Sequence, residues 1–499
     1  MKNLLLRKTH LLSLAAVIVA SSGLEAQNWR GNFDKLVRDN KPAAALQYLW
    51  LQSARGTRAE EHIDRALLLE SLGFPLSALR EWSDAVNANP RLPRALDGLG
   101  QGALRWDRLG SVNAAAKAAA GLRSQWPASF RIAVALNAFR AGSTTLAASL
   151  LPHSRELGSI RDPEARRAAA LHLSSMQGAL GSLRDAVQSL DYVSGVDSSS
   201  QTGVLRLQAA RLYYDMNQMT SSLDQLVKLP RNSGAWYQGV IVGAWAAYRL
   251  RDYNLALGQV LTLHSPYLAE KFGPETYILE ASTLFQLCQY KSAQKSIELL
   301  RQKYAKVGTA AQLFGRAYGN STSRVSAVVN YARGQREVPL GADPQAYALV
   351  MDALLQEDVV ARADRMMLQV NFETENLAKI FPDTNQASLA AIKNRYVAEL
   401  NYARIEAYKD AVRAINRRLR TLRDDVEAAF ENASLVEVEV NTRIRERLID
   451  AKVPKPVAVD FEAEVRKGYE FWPFEGEFWR DEVGSYAFAT TNVCGEQSL

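Results

Sequence analysis

Residues 239–304 read GVIVGAWAAYRLRDYNLALGQVLTLHSPYLAEKFGPETYILEASTLFQLCQYKSAQKSIELLRQKY, and the stretch can be laid over itself. Ala244, Tyr253 and Ala256 stand to one another as Ala281, Tyr290 and Ala293 do. A further copy precedes them from Val204, with Ala210 and Ser222, offset by a slightly shorter interval, so the period is roughly 34–37 residues. Small residues at matching places let two helices cross closely, and a helix pair repeated at this interval hides its apolar face only by stacking on the next pair. The sequence therefore predicts an all-α solenoid of antiparallel helix pairs. At 499 residues a single compact core would also be unusually large.

Working outward, the clearest single unit is Ala59 to Pro90. Ala66 and Ala78 allow close approach of two helices, Gly73 the turn between them, Trp82 fills the space beside the next helix, and Pro90 stops the second helix. These residues resemble a tetratricopeptide repeat (TPR), whose consensus has small residues, an aromatic and a closing proline at such spacings. Asn32 to Leu51 is a helical stretch before it. Pro93 to Pro127 fits the same pattern if about three residues are inserted near Arg108 to Ser111. Phe130–Leu151, Pro163–Leu190, Gly308–Gly334 and Pro344–Val370 read as weaker pairs, and Asp191 to Gly203 as a serine-rich loop. On the order of ten pairs fit between Asn32 and Phe381.

The pattern changes at Pro382. Gly and Pro are both absent from Asn385 to Lys452, and Ile405, Tyr408, Val412, Ile415, Leu419, Leu422, Val426 and Ala429 alternate by three and four. That is the narrow stripe of a coiled coil or a long helical hairpin, with a break expected near Asn432 to Ser434. Residues 454–499 are dense in aromatics, among them Trp472, Phe474, Trp479 and Tyr486. They read as a C-terminal segment that either caps the solenoid's open end or plugs into a partner. The expected division is thus 1–26, 27–381, 382–453 and 454–499.

Residues 1–26 read as a secretory signal peptide. Lys2, Arg7 and Lys8 precede an apolar run from Leu11 to Ala20, followed by the small residues Ser21, Ser22, Gly23 and Ala26. The expectation is export to a bacterial periplasm, with an uncleaved anchor as the alternative and no integral membrane protein after cleavage. The formal charge of +7 is mild for this length and argues against nucleic acid as a partner. Two cysteines, Cys288 and Cys494, cannot make a disulfide framework or a cysteine zinc site. They either form one bridge that pins the tail to the solenoid or stay free.

No catalytic constellation emerges. His62, His153, His172 and His264 are scattered singly and His10 lies in the signal, so no metal or cofactor is expected. Glu470, Glu475, Glu477 and Glu482 among the tail aromatics offer acids for a cell-wall lytic or glycan-binding module, but the segment is too short for a lysozyme-like cleft. The stronger candidate is the concave side, onto which Arg211, Tyr214, Trp245, Tyr248 and Arg249 project from first helices of neighbouring repeats. Arginines beside aromatics suit an acidic peptide segment or helix, although Trp245 and Tyr248 serve equally as inter-repeat packing.

A narrower resemblance appears in Leu263-His264-Ser265-Pro266-Tyr267 with Phe272-Gly273-Pro274-Glu275, and in Trp472 to Glu482. These look like exported TPR proteins of myxobacteria and predatory relatives, some of which belong to gliding-motility envelope machinery. The resemblance implies a non-enzymatic periplasmic scaffold or adaptor whose partners are other envelope proteins. The rival reading is a peptidoglycan-binding or lytic module.

Overall fold

The computed structural model describes residues 27–52, 58–197, 202–319, 322–381, 387–450, 461–471, 474–490 and 492–494. The signal-peptide reading of residues 1–26, and Trp472 in the tail, lie outside them. Among the described residues there are 22 α-helices and no β-strand, so the fold is all-α. Packing divides the chain into two units, one of residues 1–197 with 362–408 and the other of residues 198–361 with 409–499. This differs from the linear division drawn from the sequence.

The first unit holds five helix pairs: α1 (Gln27–Arg38) with α2 (Pro42–Gln52), α3 (Ala59–Ser71) with α4 (Pro75–Ala88), α5 (Pro93–Trp106) with α6 (Gly110–Ala118), α7 (Ala128–Arg140) with α8 (Thr144–Leu150), and α9 (Pro163–Ala179) with α10 (Leu183–Val196). The second holds α11 (Gly203–Asp215) with α12 (Met219–Val227), α13 (Trp236–Arg249) with α14 (Tyr253–Leu263), and α15 (Glu275–Gln286) with α16 (Tyr290–Tyr304). After these come α17 (Val307–Tyr318), α18 (Thr322–Ala332) and α19 (Pro344–Leu355). First helices of successive pairs touch, α5 on α7 and α7 on α9, then α11 on α13 and α13 on α15, which is the stacking of a TPR-like solenoid.

One backbone feature gives the repeat its period. Asn40, Gly73, Asp107, Gly142, Gly181, Asn217, Arg251 and Cys288 all have positive φ, each in the turn inside one pair, at intervals of roughly 35 residues. A helix ending in this left-handed conformation reverses direction in three or four residues, which glycine does without a Cβ penalty. Asp107 falls on the regular interval, but Gly110 starts α6 three residues after it where the other second helices start two after, so one extra residue, not three, sits near Arg108 to Ser111. Likewise the serine-rich stretch is not all loop, because α10 continues to Val196.

The close crossings are where small residues predicted them. Ala66, Ala78, Ala85, Ala210, Ala244, Ala256, Ala281 and Ala293 are buried, and the Ser222 hydroxyl donates to the Ala210 carbonyl at 2.8 Å. Trp82 lies in the space left by Gly98, where a Cβ would stand 2.4 Å from the indole, and its Nε1 donates to Glu70 at 2.8 Å. Asp252 caps α14 by accepting from the Leu255 amide at 3.0 Å.

Helix α20 (Asp358–Ile380) begins in the second unit and ends in the first, and α21 (Ala387–Asp450) runs the other way. The expected break at Asn432 to Ser434 is absent: α21 is continuous over 64 residues. Nor is it a self-contained arm. In the first unit, the Tyr396 hydroxyl donates to Glu81 at 2.9 Å and Arg80 pairs with Glu399 at 2.7 Å. In the second, Arg301 of α16 pairs with Glu437 at 2.6 Å, and the Arg447 guanidinium lies 4.7 Å over the Tyr290 ring. Its buried stripe uses Ala411, Ala414, Ile415, Leu422, Val426, Ala429, Ala433 and Val440, while Ile405, expected inside, is half exposed.

Candidate interaction face and C-terminal strap

The residues singled out for the groove do come together on the first-helix face of the second unit. From α11, Tyr214 offers its ring to Arg249 of α13, whose guanidinium carbon lies 5.3 Å from the centroid, while Arg249 Nη2 donates to Asn217 at 3.0 Å. Trp245 and Tyr248 meet edge to face at 5.9 Å and pack on the cluster of Ala244, Val260 and Leu279, so each is half packing and half surface. Tyr248 also hydrogen-bonds to Gln286 of α15. Arg211 is set apart from them: it donates to Gln238 at 3.2 Å, and Gln238 in turn donates to Gln356 at the end of α19. Gln238 and Gln356 thus lie beside Arg211, and Arg211 and Arg249 are both exposed.

Part of the aromatic tail folds back along helices of the second unit. After the short helix α22 (Phe461–Arg466), residues 481–490 run as a strap along α14, and 492–494 reach the α15–α16 turn. The Gly484 amide donates to Thr262 Oγ1 at 3.1 Å, the Phe488 amide to the Asn254 carbonyl at 2.9 Å, and the Val493 amide to the Leu287 carbonyl at 3.1 Å. Arg231 holds the strap's start, donating to Ser485 Oγ at 2.6 Å and to the Asp481 carbonyl. Gly258 makes the fit possible, since a Cβ there would stand 1.9 Å from the Tyr486 carbonyl oxygen. Val483 and Tyr486 are buried under the strap, and the Cys494 sulfur bonds to that of Cys288 in the α15–α16 turn. Phe474 and Trp479, with Phe471 before them, remain well exposed. Among the tail's acids, Glu477 Oε2 accepts from the Glu475 amide at 2.8 Å.

Sequence reasoning missed the strap's course. The available signal was Gly258 in the middle of an apolar second helix, and a cysteine where other repeats place glycine, asparagine or arginine at the turn.

His62 and His264 hydrogen-bond within the fold. Among the described residues His62, Glu81 and Asp84 approach closely enough to share a cation, but a protein cation is already there. Arg65, fully buried, reaches Glu81 at 3.5 Å and His62 at 3.4 Å with its guanidinium 4.0 Å from the Trp50 ring centroid. Burial pushes the Glu81 carboxyl up, but His62, Arg65 and Tyr396 more than reverse it, leaving it below its ordinary value. His264 stacks on Tyr277 at 4.0 Å with Nε2 2.9 Å from Thr276 Oγ1, and burial, helped by Lys303, pulls its pKa down to about 3. His172 in the first unit is pulled down to about 4, again chiefly by burial.

Both groups stay neutral in the folded chain while the unfolded chain takes up a proton near its ordinary value. Their contribution is therefore complete above about pH 6.5 and is lost as pH falls toward 4 and then 3. Between pH 6.5 and 5 each should cost about 2 kcal/mol. Denaturant melts of wild type and His264→Phe across that range test this. The variant keeps the ring stack and should show a shallower loss, and parallel curves would refute it.

No family model matches the chain, and no curated protein matches it. Solved structures that align with it include the TPR domain of P58(IPK), 13% identical over 76% of this chain and 99% of that one with a TM-score of 0.19. Naa15/Naa10 bound to HypK-THB aligns at 12% identity over 85% and 80%, TM-score 0.29, and yeast Tom70 at 11% over 77% and 96%, TM-score 0.20. Superpositions this loose add nothing to the fold, which rests on the helix pairing and the periodic left-handed turns described above.

Proposed function

We propose that this protein is a non-enzymatic scaffold that holds other proteins of the cell envelope on its helix-pair array. The observation that carries the reading is the row of side chains from neighbouring first helices: Arg249 over Tyr214, beside the half-exposed Trp245 and Tyr248. An arginine held flat against an aromatic presents its remaining N–H groups outward, ready for a carboxylate from an acidic segment. A periplasmic location is supported by the basic, apolar and small-residue order of residues 1–26 and by the Cys288–Cys494 bond, which persists in oxidising compartments. No helix among the described residues is long and apolar enough to cross a membrane. Membership of a gliding-motility complex is the finer proposal and rests on the resemblance of segments 263–275 and 472–482.

Affinity purification from crosslinked envelopes tests the scaffold. Arg249→Glu should weaken recovery of the principal partner about tenfold, the equivalent of one good charge-assisted contact. Recovery equal to wild type would remove the face from consideration. The exposed Phe474 and Trp479 favour one rival, glycan stacking. Co-sedimentation with purified peptidoglycan that disappears in Trp479→Ala would move the function to wall binding.

A further inference from the structure

Between α17 and α21 in the second unit lies an open cleft of about 540 Å³. One wall is the small-residue side of α17, Gly308, Ala311 and Gly315, with Gln312. The other is a single face of α21, Arg413, Asn416, Leu419, Arg420 and Arg423, and Arg324 of α18 closes it. Four guanidiniums line the cleft and no carboxylate does. Arg413 and Arg423 turn toward acids on their own helix, Asp410 and Glu427. Arg324, buried, is held by the Gly315 carbonyl at 2.9 Å and by Asn416, so it is fixed in place at the cleft's edge. Space persists because the α17 wall is mostly small residues: a Cβ on Gly308 would have no heavy atom within 4 Å.

We propose that this cleft binds a small organic polyanion, one carrying two or more phosphate or carboxylate groups on a short skeleton. The volume falls within the range of small-molecule sites, roughly 300–1,000 Å³. Its length excludes more than a few residues of peptide: Gly308 to Gly315 spans about 10 Å of helix and Arg413 to Arg423 about 15 Å. Arginines spaced along one helix face donate bidentately to oxyanions, Asn416 and Gln312 supply neutral donors, and Leu419 with Ala311 gives the skeleton an apolar floor. The site is separate from the face formed by Tyr214 and Arg249 and does not depend on the scaffold reading.

Titration calorimetry of the full chain with pyrophosphate and with tricarballylate distinguishes the phosphate and carboxylate sources. At least one should bind in a 1:1 ratio, and Arg420→Glu should weaken it by tenfold or more. Gly308→Leu, which adds an apolar side chain to the cleft wall without altering charge, should weaken it equally. Arg443→Glu, on the same helix away from the cleft, should leave it unchanged. Failure of both probes to bind wild type overturns the proposal. So does binding that survives Gly308→Leu, because the anion would then be attracted by the basic helix alone. Should Arg420→Glu not fold, the Gly308→Leu result decides by itself.

Discussion

Glu373→Ala is expected to destabilise the first unit by about 3 kcal/mol, a fall of roughly 6–12 °C in its melting temperature. Glu373 sits near the end of α20, fully buried, and its two carboxylate oxygens accept from the Leu76 amide at 2.9 Å, the Ser77 amide at 2.9 Å, the Ser77 hydroxyl at 2.7 Å and Gln369 Nε2 at 2.9 Å. The amides belong to the first turn of α4, whose own N-cap residue, Phe74, has no side chain able to accept them. A residue almost three hundred positions away thus does the work of an N-cap and places negative charge at the positive end of the helix dipole. Burial nevertheless raises its pKa despite those four donors. The expected loss is about 3 kcal/mol because several buried donors lose one shared acceptor. Alanine would leave three buried donors without an acceptor. Glutamine keeps one acceptor oxygen but turns an N–H toward another donor, so about half the loss is expected. Hydrogen exchange at Leu76 and Ser77 should accelerate in step with the melting shift. A melting temperature within 1–2 °C of wild type would show that water satisfies α4 as well as Glu373 does.

This contact also marks the limit of what the residues reveal by themselves. Ala66, Gly73, Ala78 and Trp82 were readable because a helix pair is a local object: the residues that must be small, or must turn, lie within one period of one another. The turn residue itself was not the signal: the pairs turning at Arg251 and Cys288 read clearly from their alanines and tyrosines and those turning at Gly142 and Gly181 only faintly, although the backbone adopts the same left-handed turn at each. The eight evenly spaced turns are visible only once φ is known. What could not be read was which helix the long C-terminal segments lie on. The alternation by three and four in α21 was legible as an apolar seam. Periodicity alone, however, cannot tell a partner coil from the flank of α16, so an arm was expected where Arg301 and Tyr290 receive the helix directly. The candidate face was legible as residue types, since Tyr214 and Arg249 do meet. Gln356, which reaches Arg211 through Gln238, lies at the end of a helix whose placement no repeat pattern encodes.

Opening the Cys288–Cys494 bond is expected to free the strap and to cost the second unit about 2–4 kcal/mol. The bond closes a loop with a sequence separation of 206 residues, and in the chain-entropy model a loop that long gives close to 5 kcal/mol, an upper bound here. What the bond secures is modest on its own. Two side chains, Val483 and Tyr486, are buried, and backbone hydrogen bonds reach Asn254, Thr262 and Leu287, so a strap without its end-anchor should peel from α14. Limited trypsin digestion reads this at Arg480, which is exposed and adjoins the anchored stretch. Cleavage there should be at least tenfold faster in Cys494→Ser and in reduced wild type than in the oxidised chain. Gly258→Leu separates peeling from general loss of stability. It leaves the bond closed but puts a side chain where the Tyr486 carbonyl lies, so it should reproduce rapid cleavage at Arg480 while the thiols remain unreactive. If Cys494→Ser is cut no faster than wild type, the strap holds by its own contacts and the disulfide is dispensable. If Gly258→Leu alone is resistant, the strap's seat is not on α14.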